Sequence, residues 1–82
     1  MNPIVDKYCI NMVGYAVNEI GKVKKVSNRT IHVDWGTKVM IYRNQDFRWI
    51  PLSKEELEKK YTKSKFNEKS LKRAIELGLE IK

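Results

Sequence analysis

Residues 14–52 read GYAVNEIGKVKKVSNRTIHVDWGTKVMIYRNQDFRWIPL, and the clearest pattern within them is TIHVDW at 30–35. Ile31, Val33 and Trp35 alternate with Thr30, His32 and Asp34, a period of two that describes a strand with one buried face. The runs around it have the same character. Val13, Tyr15 and Val17 alternate, Asn18-Glu19 reads as a turn, and Ile20-Gly21-Lys22-Val23 starts the next run. Ser27-Asn28-Arg29 is a hairpin link to residues 30–35. Gly36-Thr37 then turns the chain into residues 38–43, with Val39 and Ile41 on one face and Met40 and Tyr42 on the other. A turn at Asn44-Gln45-Asp46 leads to a last short strand at 47–50, which Pro51 closes because it lacks a ladder donor. Five short strands in under forty residues bury their apolar faces by curling the sheet on itself. Gly21 suits a bulge or a close backbone approach at the bend of such a sheet.

The flanks are simpler. Residues 1–12 form a lead-in, where Pro3 disfavours an early helix and 4–10 is a short strand or an extended arm. Ser53-Lys54-Glu55-Glu56 is a capping box that starts a short helix with one apolar ridge, Leu57 and Tyr61, placed on the surface. Phe66 anchors a polar connection over 62–66. Asn67 caps a second helix with Leu71, Ala74 and Ile75 on one face, Gly78 follows its last turn, and residues 78–82 extend as a short strand. The expected fold is mainly β with α: a five-stranded curled antiparallel barrel over 13–52, followed by two short C-terminal helices over 53–82, in a single domain over 1–82.

Eighty-two residues allow one small core. The single Cys9 rules out an intrachain disulfide and suits a reducing, cytoplasmic compartment, where a lone Cys packs as a small apolar side chain. The N-terminus lacks a signal-peptide pattern, and no apolar run reaches the length of a membrane span. One Cys and one His cannot build a Cys/His zinc site, and no sequence feature implies a metal or a cofactor. The formal net charge is +7. Residues 1–52 carry eight Lys/Arg against four Asp/Glu, and 53–82 carry nine against six, so both parts share the excess. Such an even distribution describes a basic surface on a folded domain.

Catalysis finds no support. His32 and Asp34 are i,i+2 neighbours on a solvated strand face without a nucleophile, and no G-x-x-x-x-G-K-[ST] phosphate loop occurs. A non-enzymatic binding role remains. Lys22, Lys24, Lys25 and Arg29 cluster on one hairpin, Lys38, Arg43 and Arg48 lie on the strands that follow, and all but Lys38 are singled out. These six are the candidate phosphate contacts for DNA or RNA. Tyr42 and Trp49 are the candidate stacking rings, while Trp35 belongs to the core. The lysines at 59, 60, 63, 65, 69 and 72, with Arg73, alternate with glutamates and read as a solvated helix surface.

The pattern G-Y-x-V, I-G-K-V, I-H-V-D-W-G over about residues 13–52 resembles the small SH3-like barrels of the Tudor, chromo-barrel, KOW and Mib-type groups. The resemblance implies a barrel whose rim loops and exposed strand face bind nucleic acid, peptides or methylated side chains. Here that falls on Tyr15, Trp35, Tyr42 and Trp49. Nucleic-acid binding is the first expectation. The alternative is a protein–protein interaction module, such as a small accessory or viral inhibitor protein acting on a larger host complex through the Leu57–Tyr61 ridge. A self-pairing dimer through an open barrel edge is the third.

Overall fold

The computed structural model describes residues 4–82, so the reading of Pro3 lies outside it. Four antiparallel strands form an open sheet in chain order: β1 (Tyr8–Val13), β2 (Ala16–Val26), β3 (Thr30–Asp34) and β4 (Val39–Arg43). A 3₁₀ turn at Asn44–Asp46 follows, then helix α1 (Lys54–Lys60), a 3₁₀ turn at Lys63–Lys65, and helix α2 (Glu68–Glu76).

The first strand joins two stretches that the sequence reading keeps apart, the end of the short strand or arm at 4–10 and the start of the barrel at 13. Residues 8–13 pair fully with β2, so much of the lead-in is sheet. The turn lies at Gly14-Tyr15, where Gly14 takes φ +60°. Tyr15 is therefore a loop tip, 89% exposed, and no strand residue.

Asn18-Glu19 is not a turn either. β2 runs unbroken for 11 residues, and its register against β1 shifts between Asn11 and Met12, so Asn18 is the extra residue of a bulge. A second shift makes Lys24 the extra residue against β3. Each bulge resets the alternation of the strand. That is why Val17 and Ile20, three apart, join one core cluster, and why Val23 and Val26 join the other.

The expected fifth strand at 47–50 is absent: the segment is extended but forms no ladder. Its aromatic residues turn inward instead, and Pro51 has no N–H to offer a neighbour. The chain does return to the start of the sheet two residues later. Leu52 and Tyr8 exchange two backbone hydrogen bonds, each 2.8 Å, as an isolated bridge.

The core has two parts, one on each face of the sheet. Cys9, Val23, Ile31, Val33 and Trp35 pack together with Tyr42, Phe47 and Trp49. On the opposite face Tyr8, Val17 and Ile20 meet Leu52, Leu57, Phe66, Ala74 and Leu79. Trp35 is core, as its alternation implies. Leu57 is fully buried, so α1 docks through the residue expected to form a surface ridge. Ile75 behaves in the opposite way and points to solvent, while Ser70 takes an inward position on α2. The Ser70 hydroxyl donates to the Val17 carbonyl at 2.8 Å, which satisfies it in the interior.

The helix termini follow their sequence signals. Ser53 and Glu56 form the reciprocal capping box, and the bonds from the backbone and side chain of Ser53 hold the Glu56 carboxyl below its usual range. Asn67 accepts from Ser70 N at 2.8 Å. At the far end of α2, Gly78 takes φ +75° and donates to Ile75, while Leu79 donates to Ala74, a Schellman closure. Residues 79–82 do not form a strand. They pack Leu79 and Ile81 against the helix side of the core.

Candidate binding face

The register of the ladders decides which side chains share a face. Ile31 and Val33 point into the core, so Thr30, His32 and Asp34 point outward, together with the residues paired to them. Lys22 pairs with Asp34 and Lys25 with His32, while Val39, Ile41 and Arg43 pair with Asp34, His32 and Thr30. The outer face of β2–β4 therefore holds three rows: Lys22–Asp34–Val39, Lys25–His32–Ile41 and Thr30–Arg43. The two helices cover this side of the sheet only toward β1 and the first half of β2, since α2 packs on β2.

The basic residues of this region differ in what they engage. Lys22 is partly covered, lies 4.0 Å from the Asp6 carboxylate and approaches the Tyr8 ring. Arg43 donates from Nε to Asp46 at 2.7 Å. Lys24, Lys25, Arg29, Lys38 and Arg48 are exposed and have no ion-pair partner among the described residues. Arg29 and Arg43 line a shallow groove with Asn28, Asn44 and Gln45. The groove is held by Asn44, whose backbone donates to the Arg29 carbonyl at 2.9 Å and whose side chain donates to Asn28 at 2.8 Å. Four of the six basic candidates thus lie on or beside the open face: Lys22, Lys25, Arg29 and Arg43. Lys24 projects from the bulge, and Arg48 from the segment after the 3₁₀ turn.

The aromatic candidates lie differently. Tyr42 faces the core with Met40, and Val39 and Ile41 are the outward pair, at 58% and 60% exposure. Tyr42 is half-buried, and its hydroxyl accepts from Trp35 Nε1 at 2.9 Å. Trp49 is half-buried too, with its ring 5.1 Å from that of Trp35 and 5.0 Å from that of Tyr42, both edge-to-face. Phe47 completes the cluster at 5.7 Å from Trp49. Both rings are packing residues, partly buried against the core cluster. The outward apolar residues of the face are the aliphatic Val39 and Ile41. Sequence reasoning missed this because a five-residue run of mostly apolar side chains, VMIYR, gives no phase by itself.

His32 and Asp34 do not form a dyad. Asp34 accepts from Gly36 N at 2.8 Å and lies 3.7 Å from Arg73, and no hydrogen bond joins it to His32 among the described residues. Arg73 corrects a second reading. Its side chain is 15% exposed and crosses from α2 to the sheet, so it does not belong with the solvated lysines. Burial pushes the Cys9 thiol up to about 12, far from a reactive thiolate. Among the described residues no group of His, Cys, Asp and Glu side chains could hold a metal ion, and no helix is long and apolar enough to cross a membrane.

Comparison with protein-family models, with curated proteins and with solved structures finds no match for this chain.

Proposed function

We propose that this chain is a non-enzymatic module that binds nucleic acid through the open face of β2–β4. The observation that carries the reading is the set of five exposed cations without a carboxylate partner among the described residues: Lys25 on the open face, Arg29 beside it, and Lys24, Lys38 and Arg48 on the β2 bulge, the β3–β4 turn and the segment after the 3₁₀ turn. Each phosphate that a cation neutralises releases condensed counterions, and an unpaired cation gives up no ion pair of the fold to reach it. Lys22 and Arg43 add to the set, because their solvent-facing pairs with Asp6 and Asp46 are weak and exchangeable. Val39 and Ile41 offer apolar contact to bases or sugars at the β4 edge of the face. Tyr42 and Trp49 contribute by packing with the core cluster beneath it, rather than as free stacking rings.

An SH3-like barrel is the architecture in which this face makes most sense. The four-strand meander, the 3₁₀ turn after β4 and the return of Leu52 to Tyr8 support that reading. Labelled single-stranded and duplex oligonucleotides, followed by fluorescence anisotropy as salt is raised, test the function. Binding at low salt that weakens steadily with salt is the expected result, and no binding to either form at low salt defeats the proposal.

A second reading is favoured by one observation. The outer edge of the sheet, β4, presents Val39, Met40 and Ile41 to solvent, a composition suited to a protein partner. A stoichiometric protein retained from a lysate after nuclease treatment would support it over the first.

A further inference from the structure

We infer that β4 pairs antiparallel with β4 of a second copy of this chain, about a two-fold axis at Met40, joining two four-stranded sheets into one. This rests on the geometry of the sheet edge and is independent of the nucleic-acid reading.

Two backbone bonds frame β4 and set its phase. Trp35 N donates to the Lys38 carbonyl at 2.9 Å, and Asn44 N donates to the Arg29 carbonyl at 2.9 Å. In an antiparallel ladder the bonded pairs recur every second residue, so Met40 and Tyr42 also spend their backbone groups on β3. Val39, Ile41 and Arg43 then aim their N–H and C=O groups away from the sheet. The strand lies at the end of the strand order, with no neighbour beyond it among the described residues.

Edges that must stay single are guarded by a charge within the strand, a proline or a bulge. β4 has no proline or bulge and carries its one charge, Arg43, only at its last residue, and its register with β3 is unbroken over five residues. Both helices lie toward the other end of the sheet, so they do not obstruct an approach to this edge.

The edge is also self-complementary in one register. With Met40 on the axis, Val39 and Ile41′ form a bonded pair, as do Ile41 and Val39′, giving about four backbone hydrogen bonds. Those two pairs bring apolar side chains together on the outer face, and Met40 meets Met40′ on the inner one. Lys38 falls opposite Tyr42′ and Arg43 opposite Thr37′, so no like charges oppose each other. An acidic strand from another protein would match the surrounding lysines, but the edge itself presents only apolar groups between Lys38 and Arg43. That composition fits a twin better.

Sedimentation at near-physiological salt tests the pairing, since screening there limits repulsion between two +7 chains. The mass should rise from 9.7 kDa toward twice that value as concentration approaches about 1 mM. Ile41→Lys, at an exposed position, should remain folded and monomeric. Two further readouts are specific to this register. The amides of Val39 and Ile41 should gain protection from hydrogen exchange as concentration rises, while Met40 and Tyr42 stay unchanged. Met40→Cys sits at a non-bonded pair, where Cα atoms approach within about 4.5 Å, and should cross-link at least about ten-fold faster than Ile75→Cys on α2. A monomer at every concentration overturns the proposal. So does a dimer that Ile41→Lys leaves intact, or equal cross-linking of the two cysteine variants.

Discussion

Arg73 Nη2 donates to the backbone carbonyl of Asp34 at 2.9 Å, and its Nε donates to the carbonyl of Ile20 at 3.2 Å. One guanidinium thereby ties α2 to two strands at once, with the Asp34 carboxylate 3.7 Å away to balance its charge. Both acceptors are backbone carbonyls of sheet residues, Asp34 at the end of β3 and Ile20 on β2, so the fork adds charge-assisted bonds between helix and sheet. Arg73→Ala should lower unfolding stability by about 2–4 kcal/mol, because it removes charge-assisted bonds and strands partly buried carbonyls. Arg73→Lys should recover only part of this, since an ammonium cannot span both acceptors. Urea denaturation measures both, and a loss below about 0.5 kcal/mol for the alanine variant would show that the fork is dispensable.

Gly21 has a similar structural role with an opposite requirement. A Cβ built there would lie 2.6 Å from Val33 Cγ1 and 2.8 Å from the Trp35 ring. The indole and the Val33 side chain lie close against the backbone of β2 at this point, and glycine leaves them room. Gly21→Ala should cost about 1–3 kcal/mol and alter tryptophan fluorescence as the ring shifts. Thermal melting with the emission spectrum of the folded state checks this.

Cys9 gives the pH prediction. Its thiol is fully buried, and desolvation pushes its pKa up to about 12. The folded value lies above that of an unfolded thiol, so the associated stability is complete below about pH 8.5 and is lost as pH rises toward 12. Cys9→Ala should cost about 1 kcal/mol at pH 7 and show a shallower loss of stability in alkali than the parent. At pH 8 a disulfide reagent should label the native thiol only as fast as the protein opens. Immediate labelling of the folded protein would show that the thiol is accessible.

Much of this fold can be read from the chain, and the exceptions share a cause. The TIHVDW alternation, the Ser27–Arg29 link, both helix caps and the Gly78 closure are local signals, each contained within about six residues. The errors arise where a nonlocal contact decides. Asn18 and Lys24 are bulge residues, and a bulge looks like a turn or a phase error until the partner strand is known. Arg73 reads as one more solvated cation because its acceptors lie 39 and 53 residues away in sequence. Leu57 and Ile75 exchange their expected roles because helix docking, and not the helix's own pattern, selects the buried side. On the candidate face, the identities of the basic residues are legible. The placement of Lys22, Lys25, Arg29 and Arg43 on or beside one open side, and the inward turn of Tyr42, depend on the register of β3 with β2 and β4.

The measurement that bears most directly on the proposed face is the salt dependence of oligonucleotide binding by the parent chain and by a variant with Lys24, Lys25 and Arg29 all changed to Gln. These three exposed side chains have no ion-pair partner among the described residues, so their removal should leave the fold intact by circular dichroism. If they meet phosphates, the slope of log K against log salt on duplex DNA should become shallower by about 2–3, with weaker binding at every salt concentration. A variant that binds with the parent's affinity and the parent's slope would contradict the assignment of this face to nucleic acid.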